Sequence, residues 1–297
     1  MSVELLGNAV VSGRVERVRL RISPDGLFEA IIPVGKDPKG APSTSSGCTD
    51  RILPGLVFPG FVDLHVHARE YPDMGDPAVR ARHLAKEDFH TAGEAALQGG
   101  VTAFVEMPNN PVPPNREEVY RRKQELAVKA GMPVLLMGAI TAGSEPFADI
   151  PYKLMMDRCS AGIAFGDLEQ AESTLAAYRN CRVVFHCEDP ELLRRDSAHR
   201  HPEAEVTAVR RALEWVERFH LTGHIAHIST RSAVEAVIDF NASSSKRVTC
   251  EVTPHHLSFN DKYTVLTDPP TDLRLLPRGA FLQMNPPLRS EEDRRFL

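Results

Sequence analysis

The chain has 297 residues, 42% of them hydrophobic and 25% charged, which is typical of one large globular domain or of one large and one small domain. Its formal net charge is -5 and it has no long basic block, so neither nucleic acid nor an anionic membrane surface is an expected partner. Five cysteines without a CxxC pair, an N-terminus unlike a signal peptide and no apolar run near the ~18 residues of a membrane span predict reduced thiols in a cytoplasmic protein.

The first 56 residues predict a small β domain. VERVRLRI alternates apolar and charged residues, and FEAIIPV follows the turn sequence SPDG, so each is expected to form a strand. Residues 35–50 are rich in Gly, Pro, Ser and Thr, which predicts a surface loop. We therefore assign residues 1–56 to a small β-sandwich portion.

Residues 57–297 show apolar strands alternating with helical segments. Strands are predicted at GLVFPGFVDLHVH, VTAFVEMPN, MPVLLMGAIT, YKLMM, CRVVFHCED, GHIAHIST and KRVTCEVT. Helices are predicted at DFHTAGEAALQGG, NREEVYRRKQELAVKAG (opened by Asn115), LEQAESTLAAYRN, EAEVTAVRRALEWVERFH and RSAVEAVIDF. This alternation is typical of a parallel sheet covered by helices. About seven strands are predicted, whereas a (β/α)₈ barrel has eight. We therefore expect a (β/α)₈ barrel that is incomplete before its eighth strand.

Four histidines follow apolar strands. His65 and His67 are two residues apart, so they share one face of a strand, and imidazole is a good ligand for a divalent transition metal. His186 and His227 stand at the ends of two further strands, and the C-terminal strand ends of a parallel barrel open on one face. The pattern predicts a metal centre, and the alternative is a set of buried, neutral, hydrogen-bonded histidines.

Neutral histidines do not compensate the positive charge of two divalent ions, so an anionic bridge is expected between the ions. Two residues are candidates for this bridge. Lys153 lies in the otherwise apolar YKLMM, where a desolvated amine can react with carbon dioxide to form a carbamate. Asp167 is already a carboxylate, although it also fits the N-cap of the helix LEQAE. The plainer interpretation of Lys153 is a solvated surface lysine.

The chain contains, in this order, the motifs PGFVDLHVHARE, VEMPNNPVPP, YKLMM, VVFHCED, HIAHIST, EVTPHHL and MNPPLR. This series resembles the dihydroorotases of the amidohydrolase superfamily. The resemblance implies a (β/α)₈ barrel with a small β domain. It also implies a zinc-dependent hydrolase that interconverts L-dihydroorotate and N-carbamoyl-L-aspartate in pyrimidine biosynthesis, using a hydroxide activated by two metal ions.

The resemblance also implies roles for individual residues. His65 and His67 would hold the buried zinc, His186 and His227 the outer zinc, and carboxylated Lys153 would bridge them. The spacing from Lys153 to His186 favours the lysine branch of the family, although some members use a bridging aspartate.

Substrate recognition is expected from three further residues. Arg69 would bind a substrate carboxylate through its planar guanidinium fork, and Asn109 and Asn285 would supply further substrate contacts. The alternative for both asparagines is turn formation beside proline. His255, His256 and Arg289 match the family but are expected to be structural. The expected partners are a small-molecule substrate and, as a candidate, a second copy of the chain in a homodimer.

One family feature is missing from the sequence. The family's catalytic aspartate lies in a DHAPH-like motif on the eighth strand, and no such motif occurs, so the catalytic residue is unassigned. The sequence therefore predicts a fragment or truncated product of a dihydroorotase-like enzyme. The alternatives are a hydrolase of hydantoin or allantoin type, against which Arg69 argues, and a non-catalytic scaffold.

Overall fold

The computed structural model describes residues 2–24, 28–34, 51–157, 165, 167–195, 200–262 and 284–297. These residues form two compact units, Met1–Phe61 and Val62–Leu297. The predicted loop at 35–50 lies outside the described residues. No helix within the described ranges is long and apolar enough to cross a membrane.

The first unit is a four-stranded sheet. Its strands are β1 (Val3–Val11), β2 (Arg14–Ile22), β3 (Phe28–Pro33) and β4 (Arg51–Val57), in the order β3-β2-β1-β4. β1 and β2 pair antiparallel, as do β2 and β3, whereas β4 runs parallel to β1. Ala9, Val18 and Leu20 form its buried apolar cluster, because alternate residues of β1 and β2 face the same side. The two strands predicted at VERVRLRI and FEAIIPV are confirmed.

The second unit contains two sheets of consecutive strands. Its strands are β5 (Phe61–Val66), β6 (Val101–Glu106), β7 (Val134–Leu136), β8 (Gly138–Ile140), β9 (Pro151–Met155), β10 (Arg182–His186), β11 (Thr222–Ile225) and β12 (Thr249–Cys250). The sheets have the orders β5-β6-β7 and β12-β11-β10-β9-β8. The pairs from β8 to β12 and the pair β6–β7 are parallel. The α/β class with a parallel sheet is thus as the sequence predicts.

Helices follow most of these strands. They are α1 (Pro77–Leu84), α2 (Phe89–Gln98), α3 (Glu117–Ala127), α4 (Leu168–Leu175), α5 (Pro190–Arg195), α6 (Pro202–Arg218), α7 (Arg231–Ser243), α8 (Pro254–Ser258) and α9 (Glu291–Phe296). The largest apolar cluster lies between β8–β11 and helices α4, α6 and α7, and it includes Tyr152, Phe185 and Trp215. This packing buries one face of the sheet and leaves the other face for the site.

The strands of the second unit curve. β5 and β12 are outer strands of two different sheets, yet His65 on β5 hydrogen-bonds Glu251, the residue after β12. Val105 on β6, Met137 between β7 and β8, and Val184 on β10 belong to one small buried cluster on the concave side. The ends of the strands therefore converge on one region.

Three details of the predicted elements are wrong. GLVFPGFVDLHVH is not one strand, because Phe58–Gly60 separates β4 from β5, and Pro59 has no N–H to donate to a ladder. MPVLLMGAIT divides at Met137, whose N–H donates to the Glu106 carbonyl oxygen. The helix expected to open at Asn115 begins at Glu117, and the Asn115 side chain donates to Thr141 instead.

Candidate metal centre

Strand register places Lys153 on the same face as His186. Lys153 pairs with Val184 across β9 and β10, and His186 lies two residues beyond Val184 on the same strand. Directly opposed residues and residues two apart share one face of a sheet. Tyr152 and Phe185, one residue away, belong to the apolar cluster under the helices. The alternation of β9 and β10 therefore directs Lys153 and His186 to the concave side.

His65 and His67 form the first histidine pair. Their ring centroids are 4.9 Å apart, and their two Nε2 atoms face each other at 3.3 Å. His67 Nδ1 lies 2.8 Å from the Met107 carbonyl oxygen, and His65 Nδ1 contacts a carboxylate oxygen of Glu251. Both acceptors require an N–H on Nδ1, which leaves the Nε2 lone pairs directed at one another.

The first histidine pair fits a metal ion. Two facing lone pairs repel unless a cation lies between them. Two nitrogens bound tetrahedrally at the usual zinc distance would be ~3.3 Å apart, and the His65 and His67 Nε2 atoms are separated by 3.3 Å. Outer acceptors on Nδ1 are the usual support of a metal-binding imidazole.

His186 and His227 form the second histidine pair. His186 Nδ1 lies 2.9 Å from His227 Nε2, and the ring centroids are 4.7 Å apart. His186 Nε2 contacts a Glu188 carboxylate oxygen at 3.0 Å. The two pairs adjoin, because the centroids of His65 and His227 are 5.3 Å apart. Four imidazoles, on β5 and β10 or one or two residues after β5 and β11, thus form one cluster.

Lys153 is only 1% exposed, and its charge acts on His65, His67 and His227. Burial lowers the pKa of His67 and of His227 well below the usual histidine range, and the positive charge of Lys153 adds to both shifts. Burial also lowers the pKa of His65, with a further contribution from Lys153, although the hydrogen bond to Glu251 opposes it. These three imidazoles are therefore neutral near pH 7, which is the form that binds metal.

Carboxylates surround the second histidine pair on its outer side. Asp157, His186 and Glu188 offer ligand atoms within 4.8 Å of one another. The guanidinium of Arg200 bridges this group, since its Nε donates to Glu188 at 2.9 Å and its Nη2 donates to Asp157 and Glu188. Burial alone would raise the pKa of Glu188, but hydrogen bonds from His186 and Arg200 outweigh burial and lower it to about 2. Arg200 thus supplies the positive charge between these two carboxylates.

Glu251 supports the first histidine pair in a different way. Its second carboxylate oxygen lies 3.5 Å from His224 Nε2. Burial alone would raise its pKa, but the hydrogen bonds from His224 and His65 hold the pKa of Glu251 well below the usual range. Glu251 is therefore an acceptor at neutral pH.

Arg69 and Asn109, two of the expected substrate residues, lie together. Arg69 Nη1 donates to the Asn109 backbone carbonyl oxygen at 3.2 Å. Arg69 has a φ of 32° and His227 a φ of 38°, a backbone region that non-glycine residues adopt at a cost. Asn285, the third expected contact, is exposed and precedes a cis peptide bond to Pro286.

The remaining expectations concern structural residues. Asp167 is exposed, and its carboxylate accepts from the N–H of Gln170 at the start of α4, so the capping interpretation is confirmed. His256 is buried between Thr253 and the Pro286 carbonyl oxygen. Arg289 is buried and donates to the Ser229 hydroxyl and to the Arg200 carbonyl oxygen.

Sequence reasoning missed the acidic residues behind the histidines. Glu188 is two residues after His186, so period-two alternation could have placed it beside that histidine. Glu251 directly follows β12 in KRVTCEVT, as His67 directly follows β5. Arg200 comes from the segment between α5 and α6, so no strand periodicity could have placed it near the histidines.

A model described as the amidohydrolase family matches residues 56–249. The chain belongs to the amidohydrolase family. This finding and the dihydroorotase relatives below confirm the resemblance that the motif series predicts. Structural neighbours support the same α/β fold.

The sequence relatives are named dihydroorotases. The protein of Pyrococcus abyssi (strain GE5 / Orsay) is 29% identical over 242 residues, which is 82% of this chain and 52% of the relative. That of Thermococcus kodakarensis (strain ATCC BAA-918 / JCM 12380 / KOD1) is 31% identical over 247 residues, 82% of this chain and 53% of the relative. The chain spans about half the length of the curated relatives it matches.

Among solved structures, hydantoinases share the fold. A crystal structure of D-hydantoinase matches with a TM-score of 0.73 and 21% identity, covering 100% of this chain and 65% of that chain. L-Hydantoinase (dihydropyrimidinase) from Arthrobacter aurescens matches with a TM-score of 0.73 and 21% identity, covering 100% of this chain and 66% of that chain. At these identities the likeness concerns the fold alone.

Proposed function

We propose that this chain carries the metal-binding part of a zinc-dependent cyclic amidohydrolase of dihydroorotase type. The reaction is the reversible hydrolysis of L-dihydroorotate to N-carbamoyl-L-aspartate in pyrimidine biosynthesis. The observation that carries the proposal is that two histidine pairs form one cluster, with buried Lys153 on the same sheet face as His186. Residues 57–297 would then form the (β/α)₈-type hydrolase domain and residues 1–56 its small β-sandwich portion.

Each part of the cluster has a role in this proposal. The first histidine pair would hold one divalent ion and the second histidine pair another. Lys153 would bridge them after its neutral amine attacks carbon dioxide, forming an N–C bond and releasing a proton. The bound ions would supply an activated water and polarise the ring carbonyl.

The residues of the chain provide binding and orientation. Arg69 would take a substrate carboxylate with its guanidinium, and the Asn109 carbonyl oxygen holds that guanidinium in place. Asn109 and Asn285 would add polar contacts to the ring. The acceptors behind His65, His67 and His186 keep the imidazoles in one tautomer.

Metal content tests the first part of the proposal. The purified chain, loaded with zinc and freed of excess metal, should retain about two ions, one for each histidine pair. Lys153→Ala removes the bridge and should lower the retained metal to one ion or fewer. Lys86→Ala removes an exposed lysine outside the cluster and should leave metal content unchanged. Wild-type protein that retains no zinc would refute the metal centre, and unchanged metal content in Lys153→Ala would refute the bridge.

A substrate panel tests the second part. Dihydroorotate should be turned over with a higher kcat/KM than hydantoin or allantoin, because only dihydroorotate carries a carboxylate for Arg69. Arg69→Gln should lower kcat/KM for dihydroorotate by about 100-fold, since a charged hydrogen bond contributes about 1.5–3 kcal/mol. The same variant should change hydantoin turnover little. Preference for hydantoin would favour the hydantoinase alternative.

A further inference from the structure

Glu251 occupies a fixed position between two histidines that are distant in sequence. Its backbone N–H donates to the Ile225 carbonyl oxygen at 3.1 Å, and its own carbonyl oxygen accepts from the N–H of Ile228 at 2.8 Å. Both backbone hydrogen bonds of Glu251 thus go to β11 and to the residues that directly follow it. Its carboxylate is placed before any ligand binds.

The two carboxylate oxygens have different partners. One contacts His65 Nδ1, and the other lies 3.5 Å from His224 Nε2. His224 Nδ1 lies 2.8 Å from the Thr249 hydroxyl oxygen. A consistent arrangement follows, in which Thr249 donates to His224 Nδ1 and both histidines donate an N–H to Glu251.

We infer that Glu251 is the positioning residue of the first histidine pair: it holds His65 with its proton on Nδ1 and thereby keeps the Nε2 lone pair directed at the metal. This inference rests on the proposed function. The sequence motif EVTPHHL contains Glu251, but neither metal binding nor substrate recognition uses it directly. Its effect passes through His65.

Two substitutions separate positioning from simple packing. Glu251→Ala removes the acceptor, so the hydrogen bond that stabilises the Nδ1–H tautomer of His65 is lost. Glu251→Gln keeps an oxygen that can accept from His65, while its amide N–H₂ can donate to His224 Nε2. The glutamine variant should therefore rescue what the alanine variant loses.

The first measurement is ¹⁵N NMR of the histidine side chains in metal-free protein at pH 8. Wild type and Glu251→Gln should show His65 as a single Nδ1–H tautomer, and Glu251→Ala should show a mixture or the Nε2–H form. The second measurement is zinc affinity by chelator competition. Glu251→Ala should weaken zinc binding at the first histidine pair ~10–100-fold, which is the usual effect of removing an outer acceptor. The zinc affinity of Glu251→Gln should be within about threefold of wild type.

Glu172 provides a matched control. Its side chain is 25% exposed against 18% for Glu251, and its carboxylate also has two partners, Trp215 and Arg218. Glu172→Ala should leave the His65 tautomer and zinc affinity unchanged. An unchanged His65 tautomer in Glu251→Ala would overturn the inference. Because that readout needs no metal, it remains decisive even if the wild-type chain fails to bind zinc and the proposed function is wrong.

Discussion

The two histidine pairs are supported by different kinds of groups. In the first histidine pair both Nδ1 atoms meet acceptors, the Glu251 carboxylate and the Met107 carbonyl oxygen. In the second histidine pair His186 meets Glu188, whereas His227 Nδ1 is buried and has no hydrogen-bond partner in the part of the chain that the structure describes. The first pair is thus fixed at both rings and the second at one.

The pairs also differ in how charge is arranged behind them. The Glu251 carboxylate is partly exposed, and its polar partners among the described residues are the histidines His65 and His224. Glu188 is fully buried and shares Arg200 with Asp157. A buried carboxylate without its cation is strongly destabilising, whereas a partly exposed one is hydrated. The second pair therefore depends on an ion network that stabilises a buried carboxylate, and the first depends on hydrogen bonds that orient its rings.

The largest effect is expected from removing the cation of that network. Arg200→Ala leaves Glu188 and Asp157 buried without their guanidinium, and it should lower the free energy of unfolding of the metal-free protein by about 3–5 kcal/mol. Glu251→Ala should cost about 1–2 kcal/mol, because it removes hydrogen bonds at a partly hydrated group. Urea denaturation of both variants measures the difference.

Asp157→Asn is the control for Arg200. The amide oxygen can still accept from the guanidinium, and Glu188 keeps both of its contacts, so the loss should be about 1 kcal/mol. Equal losses in Arg200→Ala and Glu251→Ala would show that the second pair depends on its ion network no more than the first depends on Glu251.

Much of the fold follows from local pattern. Runs such as CRVVFHCED and EAEVTAVRRALEWVERFH have clear periods of two and of about 3.6, and they form β10 and α6. The divisions at Pro59 and Met137 depend on which sheet each half joins, which is decided by pairing partners far away in the chain. Short helices such as α5 and α8 have too few residues for a period to be visible.

The candidate site was accessible to sequence reasoning in part. The histidines and Lys153 end or occupy apolar strands, so a single geometric rule brings them together. The side chains behind them obey no such rule, because Arg200 lies outside any helix or strand and has a φ of 41°. Tautomers and ion networks depend on these tertiary contacts, and local sequence does not encode them.

A smaller effect is expected in the order in which the two histidine pairs bind metal. Because both rings of the first histidine pair are already held, a metal ion there should pay little in reorganisation, and an outer-shell acceptor is worth ~10–100-fold in affinity. Titration of metal-free protein with Co²⁺, followed by its visible absorption, should therefore show two phases at least ~10-fold apart in Kd.

Single-site variants identify the phase that belongs to each pair. His227→Ala should keep the tight phase and lose the weak one, whereas His67→Ala should lose the tight phase. The reverse result would mean that the strained backbone of His227, with its φ of 38°, pre-forms the second site better than two outer acceptors form the first. In that case positional strain, rather than hydrogen bonding to Nδ1, would determine which half of the centre binds metal first.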